Sequence, residues 1–179
     1  MAQAKKKRKF FDVEIPSINK TTQLRAFEIE DLNDKYMKYD LTRILRGKGM
    51  ELQLKVKVKD GKAIAEPTRT KLLPYYMKRI VRKGTNYIED SFSTSTKNAP
   101  IRVKPFLITR RKVSKAVRRA LRNKCREELE IYVKEKSTNE IFEDIFSSKL
   151  QKTLSLKLKK IYPLSACEIR VLKVEENKE

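Results

Sequence analysis

Leu52, Leu54, Val56 and Val58 alternate with Gln53, Lys55, Lys57 and Lys59. A period of two predicts a half-buried strand with one apolar face and one lysine face. Asp60-Gly61 follows, a dipeptide suited to a tight hairpin whose central residues need positive φ. The return strand then runs over 62–66. Apolar runs broken by turn residues predict further strands over 10–15, 24–30, 36–45, 86–96, 101–109 and 166–174. Pro16 stops the first of these, and Lys97-Asn98 marks the turn between the fourth and fifth.

A different period takes over in the second half. Val113, Val117, Leu121, Cys125, Leu129 and Val133 recur every four residues, with Ala120 and Tyr132 on the same stripe. They predict one long helix near 113–136. A shorter helix is predicted over 73–83, with Pro74 in its first turn and Gly84 just past its end. Ser137-Thr138-Asn139-Glu140 fits a capping box opening a helix over 139–146. Leu150, Leu154, Leu158 and Ile161 form a last stripe before Pro163. Strands and helices together predict an α+β fold: a single compact domain over 10–174 between a basic arm, 1–9, and a polar tail, 175–179.

Charge changes the picture. The 179 residues carry a formal +21, and 67–126 alone hold 18 Lys and Arg against only Glu89 and Asp90. Charge so concentrated repels itself in the folded chain and calls for a polyanion, whose counterions are released as phosphates are neutralised. Nucleic acid is the predicted partner. The candidate contacts are Lys5, Lys6, Lys7, Arg8 and Lys9 in the arm, with Arg69, Lys71, Lys78, Arg79, Arg82 and Lys83 around the short helix. Arg110, Arg111, Lys112, Lys115, Arg118, Arg119 and Arg122 complete the set at the start of the long helix. The arm also reads as a nuclear-localisation-like signal, and the run alone does not separate the two. Cations at a helix N-terminus oppose its dipole by ~0.3–1 kcal/mol each, which a docked anion would offset.

Catalytic readings fare poorly. Histidine is absent and Cys125 and Cys167 stand far apart, which excludes Cys/His zinc sites and His-based acid–base chemistry. Both thiols read as core residues. Gly47-Lys48-Gly49 lacks the Walker ending, and Ser17-x-x-Lys20 lacks companion motifs. Glu89 and Asp90 are adjacent, so on a strand they face opposite ways rather than toward one metal. No cofactor is predicted. Among the aromatics of the basic block, Phe92 and Phe106 read as core, and Tyr75 stays open between core and base stacking. The basic start has no apolar stretch after it, so it reads as no signal peptide, and no run is long enough to span a membrane. An intracellular, soluble protein is expected.

Several blocks, in order along almost the whole chain, carry a resemblance. They are Lys7-Arg8-Lys9-Phe10-Phe11-Asp12-Val13, Tyr39-Asp40-Leu41-Thr42, Thr68-Arg69-Thr70-Lys71, Tyr87-Ile88-Glu89-Asp90 and Thr94-Ser95-Thr96-Lys97. The basic rhythm of 110–122, then Lys159-Lys160-Ile161-Tyr162-Pro163 and Glu168-Ile169-Arg170, complete them. The chain resembles the archaeal and eukaryotic small-subunit ribosomal protein "S-one" family, called "S three-a" in eukaryotes. It departs at 17–23, short and without glycine where members usually carry a Gly-rich loop. The resemblance implies a barrel-like, mostly antiparallel sheet with packed helices. It further implies a structural role on the platform of the small ribosomal subunit near the messenger exit, in cytoplasmic ribosomes. Its partners would be small-subunit ribosomal RNA, neighbouring ribosomal proteins and messenger RNA, with no membrane. The alternative is a nucleic-acid-processing factor or enzyme with a basic RNA or DNA channel; a chromatin-like DNA binder stands third.

Overall fold

A computed structural model describes residues 7–59 and 61–175. Lys5 and Lys6, Asp60 of the predicted turn and 176–179 of the predicted tail lie outside them. The chain sorts into two compact units, Met1–Tyr39 with Gln53–Thr68, and Asp40–Leu52 with Arg69–Glu179.

In the first unit, β1 (Lys9–Ile15) and β2 (Lys20–Ala26) form an antiparallel hairpin registered from Lys9↔Ala26 to Ile15↔Lys20. Pro16 ends β1 by opening a 3-10 turn, and Asn19 closes it in the left-handed region at φ +49°. The segment 17–23 is therefore mostly strand rather than loop. The strand predicted over 24–30 ends instead at Ala26, because Asp31 accepts from the Glu28 amide and 30–32 turn in a 3-10 helix. β3 (Tyr36–Asp40) stops short of the predicted 45. It pairs with β4 (Met50–Lys59), which pairs with β5 (Lys62–Leu72). Gly61 has the positive φ, +72°, that the predicted turn requires. β1 lies parallel to β5 through Val13↔Ala63 and Glu14↔Ile64. Val13, Ile15, Leu54, Val56, Ala63 and Ala65 fill the core, so the predicted alternation marks the buried face as far as Val56, while Val58 is half-buried.

In the second unit, Arg69–Leu72 of β5 runs antiparallel to β9 (Leu164–Val174), which pairs along its length with β8 (Pro100–Thr109). Pro105, with no N–H to donate, sits at a register shift in that ladder. The strand predicted over 86–96 is two short ones, β6 (Tyr87–Glu89) and β7 (Phe92–Ser95), both paired with β8. Four helices complete the unit: α1 (Pro74–Ile80), α2 (Lys115–Lys134), α3 (Thr138–Phe146) and α4 (Lys149–Leu158). α2 packs on β6, β7 and α4, and α4 packs on β9 and α3. The four-residue stripe Leu121, Cys125, Leu129, Val133 is its buried face. Burial pushes the Cys125 thiol up to about 12 and raises Cys167 as well, so neither is a nucleophile at neutral pH. The capping box forms: Ser137 Oγ accepts from the Glu140 amide, and Glu140 accepts from the Ser137 amide at 2.9 Å.

The fold is thus α+β, with a mixed and open sheet of nine strands and four α-helices. Its strand order ends at β2 on one side and β6 on the other, so the described strands do not close into the barrel the resemblance implied.

Candidate nucleic-acid interface

Two basic runs far apart in sequence meet at a buried clasp. Thr109, fully buried at the end of β8, donates its amide to Asn86 O at 2.9 Å, and its hydroxyl accepts from the Asn86 amide at 3.0 Å. Asn86 Oδ1 accepts from the Val113 amide at 2.8 Å, and Thr109 Oγ1 donates to Arg111 O at 2.7 Å. This knot holds the loop 110–114 against the segment that follows α1. Arg82 and Lys83 are therefore brought beside Arg110, Arg111 and Lys112, all exposed. None of these five forms an ion pair among the described residues. Val113, predicted as the first helical residue, lies before the helix because Ser114 has an extended backbone at φ −63°, ψ 163°, while the Val113 amide donates to Asn86. Ser114 becomes the N-cap, accepting from the Val117 amide.

α2 then opens on Lys115 with no acid in its first turn. Lys115 and Arg119 are exposed, but the other predicted helix arginines are not free-standing. Arg118 is half-buried with its Nε shielded from water. Arg122 donates Nε to Glu89 O at 3.2 Å. Glu89 itself pairs with Arg170 at 2.8 Å, so the block's acid is engaged as a brace rather than facing a metal.

α1 ends at Ile80, not at 83, because Val81 is extended and Thr85 Oγ1 closes a turn on Arg82 O. Lys78 is exposed, whereas Arg79 lies over the Tyr76 ring and donates to Gly47 O at 2.9 Å. Leu73 donates its amide to Gly49 O, and Tyr75, half-exposed, places its hydroxyl 3.3 Å from Thr42 Oγ1. A Cβ at Gly49 would meet the end of the Tyr75 side chain, so a larger residue there would displace that ring. These links bring the loop 41–49, with exposed Arg43 and Arg46, to α1. Both arginines escaped the sequence reading, which weighed cations by density along the chain; their signal is Gly47 and Gly49 beside a basic loop. Lys48 of the same loop is ion-paired with Glu168. Arg69 is half-buried on β5 and Lys71 exposed. Phe92 and Phe106 are buried as predicted.

In the other unit, Lys7, Arg8 and Lys9 are exposed, and Lys9 already belongs to β1 opposite Ala26, inside the predicted arm. Lys5 and Lys6 lie outside the described residues. Among the described residues no cluster of His, Cys, Asp and Glu could hold a metal, and no helix is long and apolar enough to cross a membrane.

The chain is an α+β protein whose exposed cations are gathered by backbone clasps. Residues 2–178 match the model of the ribosomal S3Ae family, and the chain belongs to that family. It is 30% identical over 95 residues to a protein of Methanothermobacter thermautotrophicus named small ribosomal subunit protein eS1, covering 52% of this chain and 49% of the relative. It is 28% identical over 138 residues to the protein of the same name from Pyrobaculum arsenaticum, covering 76% and 63%. The chain thus spans between about half and two thirds of the lengths of these relatives.

Proposed function

We propose that this chain is a structural constituent of the small ribosomal subunit, binding ribosomal RNA on the platform near the messenger exit and supporting translation in cytoplasmic ribosomes. It has no catalytic role, and its neighbours are ribosomal proteins and messenger RNA. Family membership supports the subunit, and one observation carries the RNA contact: the Asn86–Thr109 clasp sets Arg82, Lys83, Arg110, Arg111 and Lys112 together with no carboxylate paired to them. Phosphate backbones are the polyanion such a patch fits. Arg43 and Arg46 extend it along α1.

The test is sedimentation of the chain with small subunits through a high-salt cushion. A resident protein stays with the subunit, and the triple variant Arg110→Ala, Arg111→Ala, Lys112→Ala is lost at lower salt. Wild-type chain that washes off like the variant would point instead to a transient nucleic-acid-processing factor.

A further inference from the structure

Outside the basic block, the open end of the β1–β2 hairpin carries an arrangement that solubility and folding do not call for. Phe10 stands opposite Arg25 in the register, and the Arg25 guanidinium lies over its ring at 4.8 Å. Two positions further out, and so on the same face, Arg8 lies over the Phe27 ring at 5.3 Å. Phe10 nevertheless stays 60% exposed and Phe27 39%, so each ring keeps much of its surface in water. β2 pairs only with β1, which leaves this end at a sheet edge. Two exposed phenylalanines interleaved with two arginines combine flat apolar faces with positive charge at one spot.

We infer that this quartet is a stacking platform for unpaired RNA bases. A nucleotide offers both matching features at once, a π face for the ring and a phosphate for the guanidinium. In a duplex the base faces are already covered, so the ligand is single-stranded. Of the nearby acids, Asp12 on β1 accepts from Gln23 Nε2 at 3.0 Å, and Asp31, in the 3-10 turn after β2, accepts from the Glu28 amide. The platform rests on the RNA-binding reading above and adds to it a ligand class and a site in the other unit.

The experiment measures affinity of the full chain for a short single-stranded oligoadenylate and for an RNA duplex of the same length. Phe10→Leu and Phe27→Leu keep an apolar strand residue but remove the ring, and Phe10→Tyr keeps the ring. Each leucine variant weakens the single strand by about fivefold to a hundredfold, the tyrosine variant binds like wild type, and duplex affinity is unchanged. Leucine variants that bind oligoadenylate as wild type does overturn the platform. If those variants also fail to enter subunits, the face docks a protein neighbour, and the platform is equally overturned. The Arg110, Arg111, Lys112 triple variant separates the two readings: weakened binding of both RNAs upholds the general reading whatever the rings do. If no variant weakens either RNA, both readings fail.

Discussion

Lys115 is exposed at the first position of α2, where the helix dipole opposes its charge. Lys115→Glu is expected to raise the stability of the free chain by about 0.3–1 kcal/mol in urea unfolding while weakening RNA binding. The same exchange at Arg118 is expected to destabilise, since that side chain is half-buried and its stem packs. Asp144 is a second telling residue. Burial pushes its carboxyl up, but the Lys136 ammonium and the Tyr132 hydroxyl, donating at 2.8 Å, outweigh burial and hold it below its ordinary 3.8. A depressed folded-state pKa means that this stabilisation is fully present above 3.8 and lost as pH falls through the lower folded value. Asp144→Ala should remove about 1.5–3 kcal/mol at neutral pH and flatten the acid limb of the stability–pH curve, as followed by thermal melts between neutral and acid pH.

At the scale of elements, Leu121 is the test of the α2 stripe. It is wholly buried, so Leu121→Ala should cost roughly 2–5 kcal/mol by chemical denaturation. That stripe, the alternation in β4 and the Ser137–Glu140 box were legible in the sequence because each depends on residues one turn or one pleat apart. What was not legible depends on distant partners. The break between β6 and β7 follows from their separate pairings with β8, and the path of the loop 110–114 from its bonds to Asn86 and Thr109. Most of the predicted site residues are exposed, yet density of charge could not separate them from Arg79 and Arg122, which donate to backbone carbonyls, or from the half-buried Arg118. Nor could it find Arg43 and Arg46, which bonds such as Gly49–Leu73 and Gly47–Arg79 bring to α1.

For the whole molecule, the charge map sets the salt response. Residues 67–126 supply +16 of the net +21, whereas 127–179 sum to −1. Lys157, in that last stretch, is paired with Glu128 at 2.5 Å. Removing Arg110, Arg111 and Lys112 should lower the log–log salt slope of ribosomal-RNA binding by up to about one unit per lost phosphate contact, and removing Lys157, Lys159 and Lys160 should leave it nearly unchanged. Titrations of affinity against salt would read both, and equal losses would contradict the map. The clasp adds a kinetic dimension to this charge. Because Asn86 and Thr109 immobilise the loop during folding, its cations meet a partner already placed, and little ordering entropy is left to lose on contact. Asn86→Ala would keep every charge and hence the electrostatic encounter rate. The complex it forms should come apart sooner, so the residence time on RNA, not the speed of arrival, is what this neutral asparagine governs.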